Sequence, residues 1–266
     1  MKTKFGIVGC GFLGNIVAEA YHMGLLDAYE LVGVTSRTYE DAVKTAELTG
    51  ARACKDVDEL LALKPEYVVE AASVECVRAM AEKVLRSGAN LAVISIGAFA
   101  DLDFFETVKK AAVESGTKIH LANGAVGGFD VLQTISLMAK AKEMKEEAGI
   151  ETHTGARGFR NTPVWEEHLL TDTEKTTVFT GNAKEAIATF PRRVNVAVAT
   201  SLATTGPEIT SVTMHSVPNW QGDDHKLTAE IDGYKAVVDI YSVTSSIAGW
   251  SLVAMLRNLA SPVCFY

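Results

Sequence analysis

A chain of 266 residues can bury a sizeable core without disulfide or metal staples, as one large domain or two modest ones. Its 48% hydrophobic and 22% charged residues describe an ordinary globule, and no apolar run reaches membrane-spanning length. The net charge of −8 argues against nucleic acid or an anionic membrane as partner, and a small-molecule substrate is the partner expected.

Lys4 to Val8 is a short apolar run that reads as a buried strand rather than a signal peptide. Gly9-Cys10-Gly11-Phe12-Leu13-Gly14 follows, and then an alanine-rich helix to Tyr21. Strand, glycine turn and helix in that order are what a dinucleotide site requires. Gly9 allows the tight turn, Gly11 lets the backbone approach a pyrophosphate, and Gly14 lets helix and strand pack closely. Phe12 and Leu13 lie in the same loop, where the free N–H groups of the helix start receive the phosphates.

Tyr29 to Val34 reads as the next parallel strand, with Thr35-Ser36-Arg37-Thr38 at its carboxyl end. An NAD-preferring site places an acid there for the ribose 2′-OH. None is present, and Arg37 beside Ser36 suits a 2′-phosphate through a charge-assisted fork. NADP is therefore favoured as cofactor, with NAD tolerated.

Strands at 51–54, 67–70, 90–95 and 118–121 alternate with helices at 39–49, 56–63, 74–87 and 102–115. Such alternation with short connections specifies a doubly wound parallel (Rossmann) sheet in an α/β fold. Ligands bind at the carboxyl ends of such strands. That edge also carries Ala72 and Ser73, Gly97 and Ala98, and Asn123, small or polar residues that let a flat cofactor approach the backbone. A helix opening near Gly128 is expected to run to about Lys145.

The pattern then changes. Strands at 150–154 and 177–180 and a helix at 183–190 precede an antiparallel-looking series at 208–216, 226–231 and 234–243, with Asp232-Gly233 as a hairpin turn. This predicts a second, mixed α+β catalytic domain. The final helix, 246–259, is expected to return to the first. The expected boundaries are 1–123 plus 244–266 for dinucleotide binding, and 124–243 for substrate, catalysis and dimerisation. Cys10, Cys54, Cys76 and Cys264 are scattered, with neither metal-ligand spacing nor a disulfide framework, so no metal is expected and a reducing, cytoplasmic setting is.

Gly9 to Gly14, Glu70-Ala71-Ala72-Ser73, Ser95 to Asp101, Gly124 to Asp130, Phe190 to Ala197 and Leu256 to Leu259 together resemble the L-aspartate dehydrogenase family. The resemblance spans nearly the whole chain. It implies a two-domain, usually dimeric enzyme that oxidatively deaminates aspartate with NAD(P), giving iminoaspartate for NAD synthesis or for hydrolysis to oxaloacetate. It gives His225 the catalytic role and Asn195 a substrate-binding one.

Three departures fall on the substrate side. Asp223 stands where the family's Asn-x-His pattern has asparagine, Arg193 stands where asparagine is usual, and Thr154 to Pro163 replaces a short Lys/Arg-Pro-Pro stretch. A histidine suits proton transfer near neutral pH, and the acids beside His225 are expected to orient it and keep it basic. A dicarboxylate needs cations or amide donors, for which Arg157, Arg160, Arg192, Arg193 and Asn195 are candidates. His22, His120, His153, His168 and His215 lack such support. The alternatives are a related NADP-dependent imine or oxo-acid reductase with another substrate, or a non-catalytic NADP-binding sensor. Cysteine-dependent aldehyde dehydrogenases, Glu-Lys-Pro sugar oxidoreductases and dihydrodipicolinate reductases are excluded by their missing signatures.

Overall fold

The computed structural model describes residues 2–191 and 194–265, and the chain divides into two compact units, 1–124 with 246–266 and 125–245. In the first unit β1 (Thr3–Val8), α1 (Phe12–His22), β2 (Tyr29–Thr35), α2 (Tyr39–Thr49), β3 (Arg52–Cys54) and α3 (Val57–Leu61) form one half. β4 (Tyr67–Glu70), α4 (Val74–Arg86), β5 (Asn90–Val93), α5 (Leu102–Ser115) and β6 (Ile119–Leu121) form the other. The strands pair in parallel in the order β3-β2-β1-β4-β5-β6, the doubly wound order with its switch point between β1 and β4.

Phe5, Ile7, Val68, Val69, Leu91 and Ala92 are wholly buried, as strands covered on both faces require. Helix starts are marked by side chains: Asp56, Ser73 and Asp101 accept from backbone N–H groups of α3, α4 and α5. The closing helix α9 (Ser246–Ala260) belongs to this unit and lies against α1, burying Leu252, Val253 and Leu256. Each such side chain contributes about 1.5–3 kcal/mol when fully removed from water. The Tyr29 hydroxyl fixes α9 further by donating to the Leu256 carbonyl at 2.7 Å.

The second unit contains α6 (Phe129–Ala141), β7 (Glu147–Gly155), β8 (Thr176–Asn182), α7 (Ala183–Thr189), α8 (Asn195–Ala203), β9 (Ser211–Val217), β10 (Asp223–Ile231) and β11 (Tyr234–Ser242). Its sheet runs β11-β10-β7-β9-β8. Ile150, Val212, Met214, Leu227, Ala229 and Ile231 share a core with Leu132, Ala186, Val194 and Ala197, so the helices cover one face of this sheet.

Four sequence expectations are corrected here. β9 does not extend an antiparallel series: it pairs parallel to β7 and antiparallel to β8. β10 begins at Asp223 rather than Lys226, which places His225 within the ladder. α6 ends at Ala141, short of Lys145, where Glu143 takes a left-handed φ of 53° that a helix cannot continue through. Helix α8 was not anticipated, because Ala197 to Ser201 are all buried and leave no polar face to reveal a helical period.

Candidate active site

The first unit's ligand edge is assembled by hydrogen bonds between strand ends. Gly9 N–H donates to the Thr35 carbonyl and Ala71 N–H to the Val8 carbonyl, both at 2.8 Å, so the loops after β1, β2 and β4 are held side by side. The three glycines of the first loop have separate reasons to be glycine. Gly9 adopts a φ of 102°, and a Cβ there would stand 2.6 Å from the Ala71 carbonyl oxygen. A Cβ on Gly14 would stand 1.8 Å from the Gly9 carbonyl oxygen. Around Gly11, by contrast, a Cβ would meet nothing within 4 Å among the described residues. The protein's own packing does not ask for glycine at that position, whereas a pyrophosphate approaching the backbone does. Gly11 also offers no side chain to cap α1, which leaves first-turn N–H groups for an anion. Phe12 is exposed in that turn, and Leu13 packs partly into the core beneath it.

Beyond β2, Ser36 is half-buried and Arg37 exposed. No ion-pair partner of Arg37 is found among the described residues, so its guanidinium is available to a ligand. At the other loops the small residues divide by task. Ser73 accepts from Cys76 N–H at 3.2 Å and so caps α4, while Ala72 N–H donates to Glu70. Gly97 and Ala98 are buried within a 3-10 turn, Ile96–Ala100, and shape the edge from behind instead of presenting a surface. Asn123 is exposed after β6.

Glu70 is the organiser of this edge that residue spacing did not reveal. Its wholly buried carboxylate accepts from Ala72 N–H (2.8 Å), Ser95 N–H (3.0 Å), Ser95 Oγ (2.8 Å) and Ile94 N–H (3.3 Å). It thereby ties the loop after β4 to the loop after β5. Burial pushes its carboxyl above the usual range, and the four donors oppose that shift.

In the second unit His225 lies opposite Thr152 in the β10–β7 ladder, and its Nδ1 is 2.9 Å from the Thr152 hydroxyl. By the alternation of a strand, His225 shares the helix-covered face with Leu227, Ala229 and Ile231. Only 7% of it is exposed, yet Nε2 has no hydrogen-bond partner among the described residues. Helix α8, which Asn195 opens, packs on the same face through Val194 and Ala197, so both candidates stand on one side of this sheet.

The expected carboxylate support of His225 is corrected. Burial holds its imidazole below the ordinary histidine value, and Asp223 works against that shift in part. Asp224 projects to the opposite face, where it faces His153 and Asp239. The orienting partner of Nδ1 is a hydroxyl, Thr152, which sequence proximity could not show.

Arg160 stacks its guanidinium 5.6 Å from the centre of the Trp165 ring. It lines an open concavity with Asn161, Glu167 and Thr171, a setting that includes neither His225 nor Asn195. Arg193, the other arginine expected to bind substrate, lies outside the described residues, as does Arg192. His168 is exposed between Glu166 and Asp172, as a solvated histidine.

A doubly wound sheet whose glycine edge has room for a pyrophosphate, joined to a mixed unit carrying a partly free histidine, defines a nicotinamide-dependent oxidoreductase. Residues 9–122 match the family model described as homoserine dehydrogenase, NAD binding domain, and residues 135–259 match aspartate dehydrogenase, C-terminal. The chain is 31% identical to an L-aspartate dehydrogenase of Methanocaldococcus jannaschii and 32% identical to one of Methanococcus maripaludis, each match covering 98% of both chains. It superimposes on the crystal structure of aspartate dehydrogenase from Thermotoga maritima with a TM-score of 0.75 at 25% identity, over 100% of both chains.

The chain belongs to the L-aspartate dehydrogenase family. It is an NAD(P)-dependent oxidoreductase of the kind that acts on an amino-acid donor.

Proposed function

We propose that the protein oxidises L-aspartate to iminoaspartate, which water converts to oxaloacetate and ammonia, with NADP+ preferred over NAD+. The observation that carries this reading is His225, whose Nδ1 is engaged by Thr152 while Nε2 has no protein partner among the described residues. With Nδ1–H donating to the hydroxyl, Nε2 bears the lone pair and works as a base. NAD(P)+ supplies the acceptor for the hydride that leaves Cα.

His225 removes a proton from the substrate ammonium, so that the nitrogen lone pair can form the C=N bond as hydride departs. His225 passes that proton to solvent, takes one from the water that attacks the iminium carbon, and returns it to the nitrogen as ammonia leaves. Burial suits this task, because it favours the neutral imidazole that the first step needs. Asn195, on the same face, is assigned to a substrate carboxylate, with Arg193 and Arg160 as further candidates.

Gly9, Gly11, Phe12, Leu13 and Gly14 hold the pyrophosphate end of the cofactor, and Ser36 with Arg37 receives the 2′-phosphate. Arg37 supports the NADP preference because no acid stands at the end of β2 and its guanidinium has no ion-pair partner among the described residues. Ala72, Ser73, Gly97, Ala98 and Asn123 complete the cofactor edge, the buried ones by shaping it. The family likeness supports a homodimer, and the free cysteines Cys10, Cys54, Cys76 and Cys264 fit a reducing cytoplasm.

The test is absorbance at 340 nm with L-aspartate and each oxidised cofactor, and in reverse with oxaloacetate plus ammonia. Turnover in both directions, faster with the phosphorylated cofactor, is expected. Turnover on a different amino or oxo acid alone would replace aspartate, and turnover on none would leave a cofactor-binding sensor.

A further inference from the structure

The face of the second sheet turned away from its helices carries a cluster that the proposed reaction does not use. Glu151 and His153 alternate along β7 on that face, and His215 stands opposite His153 in the parallel β7–β9 pair. Glu151 Oε1 is 2.9 Å from His215 Nε2 and 3.2 Å from His153 Nε2. All three potential ligand atoms lie within 4.8 Å of one another. Ligands about 2.0–2.1 Å from a tetrahedral zinc ion stand roughly 3.3 Å apart, so the carboxylate is already near ligand spacing from both imidazoles, and the two imidazoles, within 4.8 Å, close on each other by side-chain rotation.

The outer contacts suit a metal site as well. His215 Nδ1 meets the Thr177 hydroxyl at 3.0 Å, and the buried Nδ1 of His153 lies 3.5 Å from an Asp224 oxygen, with no hydrogen-bond partner among the described residues. Each histidine thus presents Nε2 inward while its other nitrogen faces an oxygen, the arrangement that orients metal-binding imidazoles. The rings stack 4.9 Å apart, which fixes both in one direction. Lys175 already brings a cation here, with Nζ 3.3 Å from His153 Nε2 and 3.5 Å from Glu151 Oε1, on a side chain 48% exposed that can swing away.

We propose that Glu151, His153 and His215 bind one borderline divalent cation of the zinc type, with the fourth coordination position open to water or a small anion. Two imidazole nitrogens with one carboxylate select such an ion over magnesium or calcium. The site joins β7 to β9 and is independent of the aspartate dehydrogenase reading. Residue spacing predicted no metal, because the second histidine comes from a different strand, 62 positions along the chain.

The full-length protein, stripped with a chelator and titrated with zinc sulfate at pH 7.5, should take up one equivalent per chain, and its melting temperature should rise. Cobalt(II) in place of zinc should give the visible absorption bands of a tetrahedral site. Binding should weaken about 100-fold or more in His215→Gln and in Glu151→Gln, and the cobalt bands should vanish in both. Lys175→Met should bind at least as tightly as the parent. No uptake by the parent would overturn the proposal, as would undiminished binding in both ligand variants, equal affinity for magnesium chloride, or lost binding in Lys175→Met. If both ligand variants fail to fold, His153→Gln provides the same reading, and undiminished binding there would overturn the site equally.

Discussion

In the first unit the residues assigned to the cofactor sit within a few positions of strand ends, and each group is contiguous in sequence. In the second, His225 and Thr152 are 73 residues apart and meet only because β10 pairs antiparallel to β7. The first arrangement is a property of turns, where backbone geometry and close approach select residue types locally. The second is a property of register: slipping β10 by one position would turn His225 to the other face and bring Asp224 to the helices. A ligand edge built from turns tolerates change on the strands behind it, whereas the pair proposed for catalysis, built across a ladder, depends on every residue that sets the register.

The largest effect expected from breaking this division is on turnover. His225→Ala should lower kcat by ~10²–10⁴-fold, the range typical of losing a positioned acid/base, in steady-state assays at 340 nm. Retention of parental turnover would remove the second sheet from the chemistry.

The glycine edge should respond to substitution by position instead of as a unit. Gly14→Ala forces a Cβ to 1.8 Å from the Gly9 carbonyl oxygen, and chemical denaturation should report a loss of ~3 kcal/mol or more. Gly11→Ala, with open space around its Cβ, should unfold at the parental denaturant concentration. Equal destabilisation by the two would mean that the loop is glycine-rich for packing alone.

Arg37→Asp should weaken NADPH by roughly 10- to 100-fold, the value of one or two charge-assisted hydrogen bonds, and leave NADH nearly unchanged in fluorescence titrations. Parallel losses for both cofactors would place Arg37 elsewhere than at the 2′-phosphate.

The smallest effect separates the two faces of the second sheet. A carboxylate near an imidazole favours its charged form, so removing Asp223 should move the His225 limb of the kcat/KM profile to still lower pH. Asp224→Asn should leave that limb in place, because Asp224 projects to the face of His153 and Asp239. A shift caused by Asp224 and not by Asp223 would reverse the assignment of faces.

How much was legible follows the same line. The glycine loop, the alternation of strands and helices, and the missing acid after β2 are local signals; they yield the doubly wound fold and name the residues proposed for the cofactor edge. The return of α9 to the first unit was legible from its amphipathic pattern. Helix α8 was not, since it is buried nearly all round, and neither was the place of β9 between β7 and β8, because strand order is set by tertiary packing. Glu70 stood inside a recognised motif, but its role as a clamp depends on Ile94 and Ser95 reaching it from the next strand. The acids flanking His225 were legible as neighbours in the chain, yet alternation sends one of them to the far face and leaves Thr152 as the partner.

Calorimetric titration of NADPH into His225→Ala and Gly11→Val, compared with the parent, tests the division of labour most directly. The expected result is an affinity within about twofold of the parent for His225→Ala and no measurable binding to a folded Gly11→Val, whose branched side chain fills the approach to the backbone. Parental affinity in Gly11→Val, or equal loss in both variants, would contradict a cofactor held by the glycine edge and a proton handled by the second sheet.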